Sequence, residues 1–220
     1  MSRTATNKVH VVSREIESKE LPMFPKEPRG ELTEDMKIDN IRYHFECIMK
    51  TLGLDLSDRS LRGTPERVAR MYVKEIFSGL NSENYPKISV FENAYGYDQM
   101  LIEKDITFYS YCEHYFTPIV GKAHVAYFPG AKVIGLSKIN RLVRYFSRRP
   151  QVQERLTVEI ADALKAALQT NDVAVFIEAD HLCVSSRGVS DTTSSTVTSH
   201  FDGKFQAAQY RDEFLQKLKP

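Results

Sequence analysis

The 220-residue chain is poor in cysteine, in long apolar runs and in net charge, and each shortage excludes something. Three cysteines, an odd number and few for the length, cannot form the framework of a disulfide-stapled secreted domain and suit a reducing compartment. No apolar run reaches the length needed to cross a bilayer. The first residues, Met1-Ser-Arg-Thr-Ala-Thr-Asn-Lys8, carry no apolar block of the secretory type, so the expectation is a cytoplasmic chain with no membrane partner. A formal charge of +1 gives no general attraction for nucleic acid or anionic lipid. What remains is 42% hydrophobic residues, enough for one substantial core.

Charge is concentrated locally. Between Lys132 and Arg155 stand seven basic residues (Lys132, Lys138, Arg141, Arg144, Arg148, Arg149 and Arg155) against one acid, Glu154. Such a run is either a solvated helix face or an anion site. Aromatics are not interleaved with it as a stacking surface for nucleic acid would require.

Residues 1–33 are polar and punctuated by Pro22, Pro25, Pro28 and Gly30, which reads as a flexible arm. A helical region is expected over 34–98. Ile38, Ile41, Phe45, Ile48, Met49 and Leu52 recur at helical spacing, and Gly53 closes the run. Cys47, beside this stripe, reads as a buried structural thiol. Thr64-Pro65 has the form of a cap followed by proline at the first helical position. Val68, Met71, Tyr72 and Ile76 continue that helix to Gly79, and residues 80–98 look like a loop.

From 99 to 220 the pattern changes. Met100–Tyr111 and Lys122–Phe128 read as strands with a turn near Pro118 to Gly121. Two helices follow, the first capped by Ser137 and ending before Pro150. Asp172–Ser186 reads as one long strand, Thr192–His200 as its hairpin partner, and 206–218 as a terminal helix. Strand-strand-helix-helix-strand-strand predicts an α+β layer design, an antiparallel sheet with both helices on one face.

The chemistry-bearing residues fall on this frame. Side chains two apart on a strand share a face, so Ser110, Cys112 and His114 would point together, as would His181 and Cys183. If those strands are neighbours, Cys112, His114, His181 and Cys183 converge. Two thiolates with one or two imidazoles suit Zn²⁺, and three protein ligands leave a position for water whose pKa the metal lowers. A closed structural zinc site, or two buried cysteines that never meet, is the plainer alternative. His124 reads as a satisfied strand histidine. Glu154, in the first turn of the second helix, offers a bidentate acceptor for adjacent ring N–H and amino donors, as on a guanine edge. Lys138, Arg141 and Arg187 supply positive charge for phosphates, and Ser137 a hydroxyl at a helix start. Together these describe a site for a phosphorylated, nitrogen-rich small molecule.

Five segments then resemble the GTP cyclohydrolase I family closely: Cys112-Glu-His114, Gly135-Leu-Ser-Lys-Ile-Asn-Arg141, Arg149-Pro-Gln-Val-Gln-Glu-Arg-Leu156, His181-Leu-Cys183 and Ser186-Arg-Gly188. Thr64-Pro-Glu-Arg67 and Glu75-Ile-Phe-Ser-Gly79 match its helical N-terminal part, so the likeness runs from about residue 35 to the C-terminus. The resemblance implies the tunnelling fold, in which such units join into a barrel. It also implies a homodecamer with active sites between subunits, and conversion of GTP and water to formate and 7,8-dihydroneopterin triphosphate. By the same resemblance Cys112 and Cys183 bind zinc, His181 is the general acid/base near N7, and His114 acts near the ribose and metal. Glu154 with Gln153 holds the guanine edge. Ser137, Lys138, Arg141, Arg187 and, from a neighbouring subunit, Arg67 hold the triphosphate and ribose.

At Tyr115 the pattern departs. The family motif reads Cys-Glu-His-His, its second histidine being the third zinc ligand. Neutral phenol is a poor zinc ligand, and ionising it near pH 7 works against an unperturbed pKa of about 10. Three outcomes follow: His114 swings in to ligate, Tyr115 binds as phenolate, or metal is held weakly or not at all. A homologue that binds GTP or a pterin without turnover is the alternative function.

Overall fold

The structure, a computed structural model, describes residues 32–219. The expected arm over 1–33 therefore lies almost wholly outside the described residues. Helix α1 (Glu34–Thr51) follows the predicted stripe, but only Ile38 and Met49 are buried. Ile48 and Leu52 are exposed, and Cys47 is exposed too, not the buried thiol its position suggested. Helix α2 (Thr64–Arg70) starts one residue earlier than expected, capped by Gly63 with Pro65 in its first turn. The Thr64 hydroxyl does not cap. It accepts from the Arg67 guanidinium at 2.8 Å. The helix widens into a π-helical turn over Met71–Ile76, three residues short of the expected end, and the short 3-10 turn Ser78–Leu80 that follows contains Gly79. A side chain is impossible there, since a Cβ would stand 2.2 Å from the Tyr145 carbonyl oxygen.

Residues 80–98, expected as loop, contain the short strand β1 (Val90–Glu92). It pairs antiparallel with β4 (Lys132–Ile134), a small sheet whose strands are too short to show a period.

The main sheet has five strands in the order β5-β2-β3-β6-β7. β2 (Leu101–Cys112) and β3 (Pro118–Tyr127) form a hairpin, β6 (Val173–His181) pairs antiparallel with β3, and β7 (Thr196–Phe201) pairs antiparallel with β6. β5 (Pro150–Gln151) adds two residues parallel to the end of β2. The molecule is thus α+β as expected, with a mixed rather than wholly antiparallel sheet. In β2 the alternation is plain: Ile106, Phe108, Ser110 and Cys112 are buried between exposed or half-buried neighbours. One interruption, a bulge at Lys104 and Asp105, shifts the register and sets Asp105 at φ 60°.

Helices α3 (Leu136–Ser147) and α4 (Gln153–Leu168) cover one face. Ile139, Leu142, Val143, Leu156, Ile160 and Leu164 pack there on Val125, Val175 and Ile177, all at 0–1% exposure. At about 25 cal/mol per Å² of apolar surface removed from water, this layer dominates the stability. Gly135 caps α3, and Ser137 lies inside the helix. The terminal helix α6 (Ala208–Leu218) closes part of the other face, its Phe214 packing on Phe205, Phe128, Ala126 and Ala174. Among the described residues no helix is long and apolar enough to cross a membrane.

Two strand predictions need correction. β3 begins at Pro118, where a turn was expected. The segment after β6 is not strand: at His181 the chain winds into α5 (Leu182–Ser185), one turn of helix. Cys183 therefore does not share a strand face with His181.

Candidate active site

The site begins where β2 ends. Cys112 is the last strand residue and is buried. Its N–H donates to the Thr117 carbonyl at 2.8 Å, and its own carbonyl accepts from Phe116 N–H at 2.8 Å. Those two bonds close a tight turn over residues 113–116, with Phe116 at φ 53°. Three contacts fix the turn. The Phe116 ring packs edge-on against Tyr72 and Phe77 of the helical part. Glu113 N–H donates to the Gln151 carbonyl at 3.0 Å. The Glu113 carboxylate pairs with Arg155 at 2.6 Å, and Arg155 also donates to Gln151 Oε1 and the Pro150 carbonyl, each at 2.9 Å. A clamp of charge-assisted bonds on a turn is stiffer than neutral bonds would make it.

Because the chain turns here, the period-two rule no longer places His114. Its Nδ1 nevertheless stands 3.6 Å from Cys112 Sγ, a thiol–imidazole hydrogen bond as it stands. Tyr115 points away: it is 58% exposed and lies under the Arg187 guanidinium, whose carbon is 4.3 Å from the ring centroid. Arg187 reaches back from the loop after α5, just before Gly188 at φ 62°.

The second half comes from β6 and α5. Register pairs His181 with Ile119, at the same end of the sheet as the turn. The Cys183 thiol lies against Cys112. Burial raises its pKa above the ordinary thiol value and the Cys112 contact raises it further, while the Thr117 hydroxyl opposes. Thr117 Oγ1 is buried without a well-directed hydrogen bond, so it faces the sulfur at poor geometry.

Gln153, the first residue of α4, is 2% exposed and fixes His181. Its Nε2 donates to the carbonyls of Ile177 at 3.2 Å and Thr196 at 2.9 Å, which settles the amide orientation. Its Oε1 is then an acceptor, and it meets His181 Nε2 at 2.7 Å. Neutral His181 therefore carries its proton on Nε2 and leaves Nδ1 open. Burial lowers the His181 pKa; the nearby charges of Glu154 and Asp180 pull the other way. Glu154 itself is exposed at the start of α4.

One end of the sheet thus gathers Cys112, His114, Tyr115, Gln153, Glu154, His181, Cys183 and Arg187. Ser137, Lys138 and Arg141 are elsewhere. Ser137 and Lys138 occupy the first turn of α3 and Arg141 its middle; the twelve residues span about 18 Å, and the last turn, not the first, leads to the Pro150–Gln151 strand beside Cys112. Arg67 is folded onto its own helix start, donating to the Ser60 carbonyl at 3.0 Å and to Thr64. The bracing residues Arg155, Gln151 and Thr117 were not singled out from the sequence. Arg155 stood in the basic run, but nothing there told a brace from a solvated charge.

Among the described residues no three His, Cys, Asp or Glu side chains are already gathered around one point as a finished metal cage. The donor types suit zinc, and one pair of them has the spacing of two ligands. In a tetrahedral site with Zn–S near 2.3 Å and Zn–N near 2.0–2.1 Å, sulfur and nitrogen stand about 3.5 Å apart, which is the Cys112–His114 separation, and Cys112 also touches Cys183.

Paired thiols, an imidazole held by Gln153 and an exposed carboxylate lie together at one end of an α+β sheet. The family model described as GTP cyclohydrolase I matches residues 41–219, and the chain belongs to that family. It is 55% identical to GTP cyclohydrolase 1 of Flavobacterium johnsoniae over 194 residues, 88% of this chain and 87% of that one. It is 53% identical to GTP cyclohydrolase 1 of Shewanella denitrificans, covering 91% of each chain. With GTP cyclohydrolase 1 of Aeromonas salmonicida the identity is 51%, covering 93% of each.

Proposed function

We propose that this chain catalyses the GTP cyclohydrolase I reaction. The guanine imidazole ring of GTP is opened hydrolytically at C8, formate is released, and the ribose-derived carbons rearrange and close to 7,8-dihydroneopterin triphosphate, the entry to tetrahydrofolate and other pterins. One observation carries the reading: the thiol pair Cys112 and Cys183 sits beside a histidine whose tautomer is fixed by Gln153.

Zinc held by Cys112 and Cys183 with a third donor would supply the acidity that makes water nucleophilic near neutral pH. The chain's own groups do the rest. His181, neutral by burial and open at Nδ1, takes or gives a proton at the imidazole nitrogen of the base, the work for which a near-neutral pKa is suited. Glu154 accepts the adjacent N1–H and 2-amino donors of guanine. Gln153, with its amide engaged, orients His181 behind it. Arg187, stacked on Tyr115, is placed for phosphate or ribose oxygens.

Ser137 and Lys138 lie in the first turn of α3 and Arg141 near its middle, whereas it is the last turn of that helix that leads to β5 beside Cys112. This favours sites assembled between subunits, with Ser137, Lys138, Arg141 and Arg67 acting on the triphosphate bound at a neighbour. The tunnelling fold and a decamer fit the same picture. Over residues 101–110 β2 has a strand on one side only among the described residues. A groove of about 630 Å³ runs beside it, lined by Lys104, Thr107, Tyr109, Arg144 and Arg148 among others. Residues 34–98 would form the helical part and 99–220 the catalytic unit, in the cytoplasm.

The test is direct. Zinc content is measured on the purified protein, and GTP conversion is followed by dihydroneopterin absorbance with and without added metal. Turnover that tracks metal occupancy supports the reading. GTP binding with no turnover under any metal condition would leave a nucleotide-binding homologue instead.

A further inference from the structure

We propose that in this chain His114, together with Cys112 and Cys183, holds the metal, and that Tyr115 is not a ligand but the platform that positions the Arg187 guanidinium. The inference rests on the zinc-dependent reading above and specifies its ligand set. Two independent contacts carry it, and they assign the neighbouring side chains to different tasks.

The first is the Cys112–His114 contact. The turn that ends β2 brings Nδ1 of His114 to 3.6 Å from Cys112 Sγ, the spacing of two ligands on one tetrahedral zinc. Cys112 also meets Cys183, so both remaining donors touch one sulfur; the three are not gathered around one point as they stand, and metal binding would have to draw His114 and Cys183 together. An imidazole nitrogen is a neutral donor at physiological pH and gives up no proton to bind.

The second is the stacking of Arg187 on Tyr115. The ring is 58% exposed, and the guanidinium carbon stands 4.3 Å from its centroid, well within the range of attraction between a cation and a ring face. A ring used this way offers its face to the cation. Arg187 comes from a loop of exposed residues (Ser186 to Ser190), with left-handed backbone at Gly188 and Ser190. The ring limits where that long side chain can reach. Histidine at position 115 would be a smaller and weaker platform, so tyrosine there trades a metal donor for a better-held cation.

The experiment uses the full-length oligomer stripped of metal and reloaded. Zinc affinity is measured by chelator competition, and the ligand set by X-ray absorption of the zinc form and the visible spectrum of the cobalt(II) form. The expected wild-type spectrum has two sulfur donors and one imidazole, with no phenolate oxygen. Tyr115→Phe should keep zinc affinity within about twofold, whereas His114→Asn should weaken it by roughly tenfold or more. Tyr115→Leu should likewise keep the metal but raise the Kd for GTP, measured on the metal-free protein, roughly three- to tenfold. That rise should vanish when Arg187→Met is already present, because the two act as a unit.

A phenolate oxygen in the absorption spectrum, or a tenfold loss of zinc in Tyr115→Phe, would overturn the ligand set. An unchanged GTP Kd in Tyr115→Leu would overturn the platform. Zinc held normally by His114→Asn in an enzyme that still converts GTP defeats this inference alone. A wild type that binds no zinc defeats both it and the zinc-dependent reading. If His114→Asn does not fold, the wild-type absorption spectrum still distinguishes imidazole from phenolate.

Discussion

His181 owes its readiness to a chain of single-residue causes. Two carbonyls orient the Gln153 amide, the amide oxygen accepts a hydrogen bond from Nε2–H, and burial favours the neutral ring. Of the two charges that oppose burial, Glu154 belongs to the proposed substrate contact, but Asp180 does not. Asp180 is an exposed carboxylate that favours imidazolium, so removing its charge lowers the His181 pKa. In Asp180→Asn the limb of the pH–rate profile assigned to His181 should therefore move to lower pH. Solvent screens Asp180, so the displacement should shrink as salt is raised. A limb that stays in place at low salt, or moves upward, would show that another group controls it. The bonding of Gln153 was not legible in the sequence. Gln153 and Glu154 are adjacent polar residues at a helix start, and only the paths of β6 and β7 decide that one is buried and the other free.

At the scale of elements, the bulge in β2 is the part most open to pH. Asp105 sits at φ 60°, a conformation costing of order 1 kcal/mol for a residue other than glycine, and its N–H donates to His124 Nδ1 at 3.2 Å. That bond requires a lone pair on Nδ1. His124 is 7% exposed and packs edge-on against Phe176. Burial lowers its pKa, Asp105 and Glu178 raise it, and Lys122 and Lys104 lower it further. A histidine depressed in the folded state binds its proton more readily unfolded, so its contribution to stability is full above the unfolded value of about 6.5 and is lost as pH falls below it. The thermal midpoint of the wild type should thus drop between pH 7.5 and pH 5. In His124→Asn, whose side-chain oxygen can still accept from Asp105, the drop should be shallower. Equal slopes in the two proteins would remove His124 from the account.

Elements were also where sequence reading was strongest and where it failed for identifiable reasons. Period-two burial in β2 and helical spacing in α3 and α4 placed the framework within a few residues, because each buries one long face, while α1 was placed although only Ile38 and Met49 of its stripe are buried. The same rule misled at the ends. His181 and Cys183 were assigned one strand face, but the strand stops at His181 and α5 turns the thiol inward by a different route. Cys112 and His114 do meet, though through a turn closed by Phe116 and Thr117 backbone bonds rather than through alternation. Tyr115 bearing Arg187 had no local signal, since the two are far apart in sequence and joined only by the fold.

For the whole molecule the question is where one site ends and the next subunit begins. The thiols, His181 and Glu154 lie at one end of the sheet, and Ser137 and Lys138 lie in the first turn of α3, about 18 Å of helix away from its junction with β5. If each site takes its metal pocket from one chain and its phosphate cations from another, two differently damaged chains should repair each other. Cys183→Ser would destroy the metal pocket and leave Lys138 intact, and Lys138→Met would do the reverse. Each homo-oligomer should be nearly inactive. Co-expressed at equal levels and assembled at random, the mixture should recover about a quarter of wild-type activity, because a site works only when its pocket comes from one variant and its cations from the other. Simply mixing the two after assembly should recover far less, since the subunits must first exchange. No recovery on co-expression, with mixed oligomers demonstrated by tag capture, would mean that one chain holds the whole site. The cations at the head of α3 would then belong to the solvated face that their spacing alone first suggested.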